Sequence, residues 1–394
     1  MTSILNSVSR IETHRQQFPS LQNKAYFNFG GQGPLPQVAV EGIMEAYTYV
    51  QEHGPFSVKI NAWIQEQEAL LREAIASEIG AIADTISLTE NVTDGCNIAL
   101  WGIEWQRGDH ILLSDCEHPG VIATVDEICR RFGVSVSTCP IMGTLNEGNP
   151  VAVIEQALQP STRLVILSHL LWNTGQVLPL ADIVKLCHRH STQLLIDAAQ
   201  SVGSLPLNLK EVGVDFYAFT GHKWLCGPAG VGGLYVSKQA RETLNPTFIG
   251  WRSITFDTKG QPTGWKPDGR RYEVATSAYP QYVGLRNAIA LHQQWGTPQE
   301  RYTQICQLSE YLWQRLSQLN FVSCLRTAPP EAGLVSFQLT NGQSHSSFVR
   351  SLEEKGFLLR TLANPDCIRA CVHYFTLPSE IDSLIEAIQE TATP

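Results

Sequence analysis

Short apolar runs, rich in β-branched side chains, recur along the first two thirds of the chain at 86–88, 111–114, 134–138, 164–168, 194–197, 216–220 and 231–236. Most of them lack polar alternation, which predicts strands covered on both faces, the pattern of a largely parallel sheet. Between them the period changes. Positions 119–131 and 180–190 repeat apolar residues at helical spacing, and upstream Ile60, Ile64, Leu71, Ile75 and Ile79 share one helical stripe. The alternation predicts an α/β fold with helices over a mostly parallel seven-stranded sheet. After about residue 279 a helix through Leu285 and Ile289 leads to a longer one through Ile305, Leu308, Leu312 and Leu316. Strands are expected near 334–339, 357–360 and 368–372, and Ile381, Leu384, Ile385 and Ile388 close the chain at helical spacing. The division expected is an N-terminal arm (1–20) packing with the small domain, a large domain (21–278), and a connecting helix with a smaller α+β C-terminal domain (279–394). The Gly- and Pro-rich stretch 258–269 is expected to be a long loop between domains or else an active-site rim.

Composition narrows the class. With 394 residues and 43% hydrophobic content the chain can fill a large core. Charged residues are only 16%, which favours a surface partly covered by a second subunit. A net charge of −9 without a basic run excludes an electrostatic footprint for nucleic acid or anionic lipid. No apolar stretch is long enough to span a bilayer, and the N-terminal segment lacks the apolar core of a signal peptide. Ten cysteines without a CxxC pair or Cys/His ligand spacing read as reduced thiols, with no zinc site and no disulfide frame. A cytoplasmic, dimeric enzyme without nucleic acid, membrane or metal is expected.

Three segments carry candidate chemistry. Lys223, in Thr220-Gly-His-Lys223, follows a buried strand, where open α/β sheets bind ligands and desolvation lowers an amine's pKa. Such a lysine can form a Schiff base; the alternative is a surface lysine opening a loop. One βα unit earlier, Asp197 ends the hydrophobic strand Leu194-Leu-Ile-Asp197 and can pair with a cationic heterocycle, or else cap the next helix. The third segment runs from Leu88 to Gly95 between a strand and a helix. The N–H groups of that helix start, with the Thr93 hydroxyl, make either a phosphate site or an ordinary cap.

A phosphate cradle, a carboxylate and a Schiff-base lysine in this order point to pyridoxal 5′-phosphate (PLP). On Leu195-Ile-Asp-Ala-Ala-Gln-Ser201, Thr220-Gly-His-Lys-Trp-Leu-Cys-Gly-Pro228 and Tyr26-Phe-Asn-Phe-Gly-Gly-Gln-Gly-Pro-Leu-Pro36, the sequence resembles the class V, fold type I aminotransferase superfamily. That group holds cysteine desulfurases, selenocysteine lyases and cystine C-S lyases, and the resemblance runs from Tyr26 to about Thr376. It implies the fold type I PLP-dependent transferase fold, PLP as cofactor, and a homodimer with shared active sites. It also implies Lys223 as the Schiff-base lysine, Asp197 on the pyridinium nitrogen, Gln200 as donor to the phenolic oxygen, and His118 stacked on the pyridine ring. Val92, Thr93, Thr220 and His222 become phosphate-side residues, and Thr276 reaches the phosphate from the other subunit. Asn173 and Arg360 resemble the substrate carboxylate pair, Asn173 also bordering the cofactor, and Gln32 is a further substrate contact. Arg369 is a second carboxylate candidate, with a structural ion pair as its alternative.

Cysteine desulfurases of this family carry a nucleophilic cysteine on a mobile loop after the carboxylate-binding arginine. Here that loop is short, and Cys367 stands immediately before an apolar run, which reads as a packed thiol. The remaining machinery suits β-elimination: Lys223 removes the Cα proton, the cofactor delocalises the carbanion, and the Cβ–S bond breaks to release a persulfide or thiol, pyruvate and ammonia. The pattern is closest to the cyanobacterial cysteine/cystine C-S lyase branch, with an iron–sulfur acceptor protein as an expected partner. The alternatives are a cysteine desulfurase or selenocysteine lyase releasing alanine, then an epimerase or transaminase, and most remotely a non-catalytic scaffold. Trp251 and Arg252 are expected at the active-site mouth, with the indole over the disulfide and the guanidinium on a distal carboxylate, or else as an exposed loop pair.

Overall fold

The computed structural model describes residues 10–392; the first nine residues of the expected arm, and the last two of the chain, lie outside the described residues. The seven apolar runs form one sheet: β1 (Ile86–Thr89), β2 (His110–Ser114), β3 (Ser135–Cys139), β4 (Thr162–Ser168), β5 (Gln193–Asp197), β6 (Phe216–Thr220) and β7 (Gly232–Val236). Their order is β1-β7-β6-β5-β4-β2-β3, and β7 alone runs antiparallel to its neighbours. The inner strands are buried along nearly their whole length because helices cover both faces, whereas the edge strand β3 exposes Ser135, Val136 and Thr138.

The helices start where the sequence supplies caps. Asn91 Oδ1 accepts from Asp94 N–H at the start of Val92–Gly102. His118 caps Pro119–Phe132, which has proline in its first turn and ends on Gly133 in the left-handed region. Both helices therefore begin just beyond strand ends, β1 and β2, on the same side of the sheet.

A second unit holds an antiparallel four-stranded sheet of β8 (Val322–Cys324), β9 (Leu334–Leu339), β10 (Arg360–Ala363) and β11 (Asp366–Cys371), ordered β8-β9-β11-β10. It packs against the helices Pro298–Ser317, His345–Glu354 and Pro378–Ala392. The strand expected at 357–360 is two pieces, a short Phe357–Leu358 and then β10. Phe357–Leu358 pairs in parallel with Ala25–Tyr26, so that Phe27 joins the core of this C-terminal unit and not that of the large sheet. The helix Tyr279–Trp295 buries Leu285 and Ile289 in the large sheet's core, but Leu291 and Trp295 in a cluster with Ile11, Phe18 and Phe375. Arg15 ties the described part of the arm to the C-terminal unit through Glu380 at 2.6 Å. The stretch 258–269 is no single loop, since Pro262–Trp265 pairs with Ile254–Phe256 as an exposed hairpin.

Candidate active site

Five strands, β1, β2, β4, β5 and β6, end on the same side of the large sheet, and side chains at or just past those ends meet at one cavity of about 980 Å³. Ser168 ends β4 and Asp197 ends β5, directly opposite each other across the sheet. His222 and Lys223 follow β6, and His118 follows β2. Val92 and Thr93 open the helix after β1; in the first turn of a helix their N–H groups have no intrahelical acceptor and point at the cavity as an anion site.

Electrostatics sets the lysine. Lys223 loses solvation in the cavity and faces the guanidiniums of Arg369 and Arg360, which together bring its pKa down to about 8 against the opposing pull of Asp197. Asp197 is buried and accepts from Ala199 N–H at 2.9 Å, so it serves as a local cap and still presents carboxylate to the cavity. His118 Nδ1 accepts from Gly120 N–H at 3.1 Å, which places the ring's proton on Nε2, and the ring meets Trp172 edge-on at 6.0 Å. Thr220 does not line the cavity; its Oγ1 lies 2.5 Å from His222 Nδ1 and orients that ring. Gln200 lines the cavity, its Nε2 donating to Gly30 O at 2.9 Å and its Oε1 accepting from Trp224 Nε1 at 2.9 Å.

Arg360 and Arg369 stand directly opposite each other on β10 and β11, and both line the cavity. Arg369 is 2% exposed. Its Nη1 donates to Trp172 O at 2.8 Å, its Nε has no acceptor, and among the described residues neither guanidinium has a carboxylate partner. The structural ion pair that was the alternative for Arg369 is therefore absent. A Cβ on Gly30 would lie 2.9 Å from Arg369 Cζ and would displace that guanidinium. Gly33 is required: its N–H donates to His222 O at 2.7 Å, and a Cβ would come within 2.2 Å of Lys223 O.

Other expected residues stand elsewhere. Arg252 does not reach the mouth of the cavity: its side chain is 8% exposed, clamped between Glu68 at 2.5 Å and Glu273 at 2.6 Å, with Arg72 on the far side of Glu273. A guanidinium held by two carboxylates is not free for a ligand. Trp251 is 58% exposed and does not line this chain's cavity; Thr247 and Phe248 of the same segment do. Gln32 borders an adjoining cavity of about 760 Å³ that shares Gly31 and Arg360 with the main one. Asn173 is buried outside the lining, its Nδ2 donating to Asn364 O at 3.2 Å. Thr276 is exposed and outside the cavity. Cys367 is fully buried in β11 opposite Leu362, and burial pushes its thiol up to about 12; none of the ten cysteines lines the cavity.

One residue near the chemistry was missed from sequence. Glu117 is buried beneath Ser168, whose N–H and hydroxyl reach its two carboxyl oxygens at 3.0 Å each, and it also bonds the Ser114 hydroxyl. Burial, reinforced by the charge of Asp197, pushes its carboxyl up to about 8 despite those hydrogen bonds. A glutamate directly before His118 at a strand end was the available signal.

Free N–H groups at a helix start, a buried carboxylate and a lysine of lowered proton affinity around one cavity fit PLP, and define this as a fold type I PLP enzyme. Residues 25–381 match the class V aminotransferase family, and the chain belongs to it. A solved structure of a lysine-to-alanine mutant of C-DES, with glycine covalently linked to its PLP cofactor, superposes with a TM-score of 0.94 at 56% identity, over 95% of this chain and 98% of that one. The cystine C-S lyase C-DES in complex with its reaction product cysteine persulfide gives 0.93 at 56% identity, over 94% and 99%. A probable cysteine desulfurase of Methanothermobacter thermautotrophicus is 26% identical over 97% of this chain and 98% of its own length.

Proposed function

We propose that this enzyme is a carbon–sulfur lyase that cleaves cystine, or cysteine, by β-elimination, giving a persulfide or thiol with pyruvate and ammonia. The observation that carries the reading is a cavity with two carboxylate-free guanidiniums facing Lys223 and no thiol. It can hold an amino-acid carboxylate and move its Cα proton, but it offers no sulfur nucleophile. C-DES, acting on cystine with a persulfide product, supports the same substrate.

PLP, when bound, supplies an electron sink for the substrate's Cα carbanion. The chain's residues do the rest. The helix start at Val92 and Thr93, with His222 oriented by Thr220, would hold the phosphate, and Asp197 would keep a proton on the ring nitrogen. Gln200 has one amide N–H left after Gly30 that would serve the phenolic oxygen, and His118 would border the ring from the cavity wall. Arg369, backed by Arg360, grips the substrate carboxylate. Lys223 Nζ, whose proton affinity is lowered by burial in the cavity, would take the proton from Cα and can return it. Loss of the Cβ–S electron pair then expels the sulfur, and a disulfide substrate leaves more readily because a persulfide is a weaker base than a thiolate. One cystine and one water give one cysteine persulfide, one pyruvate and one ammonia. Asn173 directly follows Trp172, whose carbonyl accepts from Arg369, and Gln32 lines the adjoining cavity; both would contact substrate from there.

The reading includes a homodimer in which Thr276 and Trp251 serve the partner's cavity. Its support is an apolar surface beside the cavity, with Phe248 69% and Ile249 54% exposed, and an exposed Thr276 with no role in its own chain. Ten unpaired thiols suit a cytoplasmic location, and a released persulfide is sulfur in the form an iron–sulfur acceptor protein takes up. Among the described residues no helix is long and apolar enough to cross a membrane. The test is product analysis with cystine and with cysteine: pyruvate supports elimination, whereas alanine overturns it in favour of a desulfurase or selenocysteine lyase.

A further inference from the structure

Three histidines from distant stretches of the chain meet around one tyrosine, immediately behind the lysine segment. His14 comes from the N-terminal arm, His292 from the helix Tyr279–Trp295, and His373 with Tyr374 from the segment after β11; all four are buried. His373 Nε2 lies 2.9 Å from Trp224 O, and His292 Nε2 lies 2.9 Å from Leu225 O. A carbonyl can only accept, so both Nε2 atoms carry protons. His373 Nδ1 then accepts from Tyr374 N–H at 3.0 Å. His292 Nδ1 accepts the Tyr374 hydroxyl at 2.7 Å, which leaves that oxygen to accept from His14 Nε2 at 2.7 Å. One assignment thus satisfies both carbonyls and the hydroxyl with all three imidazoles neutral.

The surroundings agree with neutrality. Burial pushes His14 down to about 4 and His373 to about 3, and His292 is lowered as well. The charged neighbours are Arg10 and Arg301, the latter paired with Glu78, and both arginines oppose a further positive charge. The Trp224 peptide is also held by its own side chain, whose Nε1 donates to Gln200. Packing alone does not call for this arrangement, since apolar rings would fill the space without burying polar atoms that must all be matched.

We infer that this neutral His14–Tyr374–His292 chain, with His373 beside it, positions Lys223 by holding the two peptides that follow it. The lysine's placement is thereby tied to the packing of the N-terminal arm and the C-terminal unit against the large sheet. The inference rests on the reading of Lys223 as the cofactor lysine. These residues touch neither substrate nor cofactor and act only through the Trp224 and Leu225 carbonyls.

His373→Gln and His292→Gln keep an N–H within reach of those carbonyls, and His373→Phe and His292→Leu remove it. The readouts are the pH midpoint of the visible band of the PLP-loaded protein, the rate of PLP uptake by the cofactor-free chain, and the thermal unfolding of that chain. The apolar variants are expected to move the midpoint by roughly one pH unit, the size of one lost hydrogen bond, and to slow PLP uptake about tenfold, while the glutamine variants restore both. Folded apolar variants with wild-type midpoint and uptake overturn the proposal, as do glutamine variants no better than the apolar ones. If His373→Phe does not fold, Tyr374→Phe removes only the hydroxyl joining His14 to His292, and an unmoved midpoint there overturns it equally. Borohydride reduction and peptide mapping separate the two failures. A modified lysine other than Lys223 overturns the underlying reading, whereas Lys223 modified in every variant with unmoved midpoints overturns the positioning role alone.

Discussion

Replacing Arg369 by methionine separates a ligand-binding cation from a structural one. The side chain is 2% exposed, stands opposite Arg360 across β10 and β11, and has one protein acceptor, Trp172 O. Like charges directly opposite on neighbouring strands destabilise a sheet, and a buried cation without a counterion carries a desolvation penalty of several kcal/mol. Removing the charge relieves both and leaves the Trp172 carbonyl without its donor, at about 1–3 kcal/mol. The cofactor-free variant is therefore expected to melt within a few degrees of wild type or above it. Function changes in the opposite sense. A guanidinium fork makes two hydrogen bonds to a carboxylate, each about 1.5–3 kcal/mol when charged, so about 3–6 kcal/mol is lost. That is a fall in kcat/KM for cystine of roughly 10²- to 10⁴-fold. Calorimetry of the cofactor-free chain and initial-rate pyruvate assays measure the two effects. A melting temperature lowered by ten degrees or so with kcat/KM intact would refute the reasoning and make Arg369 a structural residue.

Lys223→Ala is expected to leave a folded protein that forms no pyruvate; turnover at the wild-type rate rules the assignment out. Cys367→Ala, which removes a small packed side chain, is expected to change kcat/KM by less than about threefold, and complete loss with the fold intact would restore a thiol mechanism. Arg252→Ala strips Glu68 of its counterion and leaves Glu273 to Arg72 alone, and is expected to cost about 3–5 kcal/mol in thermal unfolding, with equal kinetic effects on cystine and on a β-substituted alanine lacking the distal carboxylate. A selective rise in the KM for cystine with unchanged stability would return Arg252 to the mouth of the cavity. For Glu117 the folded pKa of about 8 lies above the ordinary 4.5, so the folded state holds a proton that the unfolded state releases. Its contribution to stability is fully present below pH 4.5 and is lost as pH rises toward 8; Glu117→Gln is expected to gain on wild type across that window in urea titrations, and parallel curves would show that Glu117 ionises normally.

The inner runs became strands because a strand covered on both faces needs little beyond continuous hydrophobicity, which is written locally, whereas the exposed edge strand β3 carries only alternating Val and Ser with Thr. The strand Pro262–Trp265 inside the stretch 258–269 has no signature in the sequence, because Pro-Thr-Gly-Trp is exposed throughout and carries no buried face to leave a pattern. Phe27 was assigned to the large domain by its place in the chain, and went to the C-terminal unit through the pairing of Ala25–Tyr26 with Phe357–Leu358.

The same division runs through the site. Sequence alone determined that Lys223, Asp197, His118 and the helix start at Val92 lie just past strand ends, because in a parallel sheet those ends share one side. It left open whether Arg369 had an ion-pair partner, and whether Arg252 met a ligand at the cavity mouth or stood in an exposed loop. Those matters depend on the register of β10 against β11 and on which carboxylates arrive from the helix Val58–Ile79 and the segment near residue 273. A charge acquires its partner through contacts between residues far apart in the chain, and only the tertiary structure decided that Glu68 and Glu273 reach Arg252 while no carboxylate reaches Arg369.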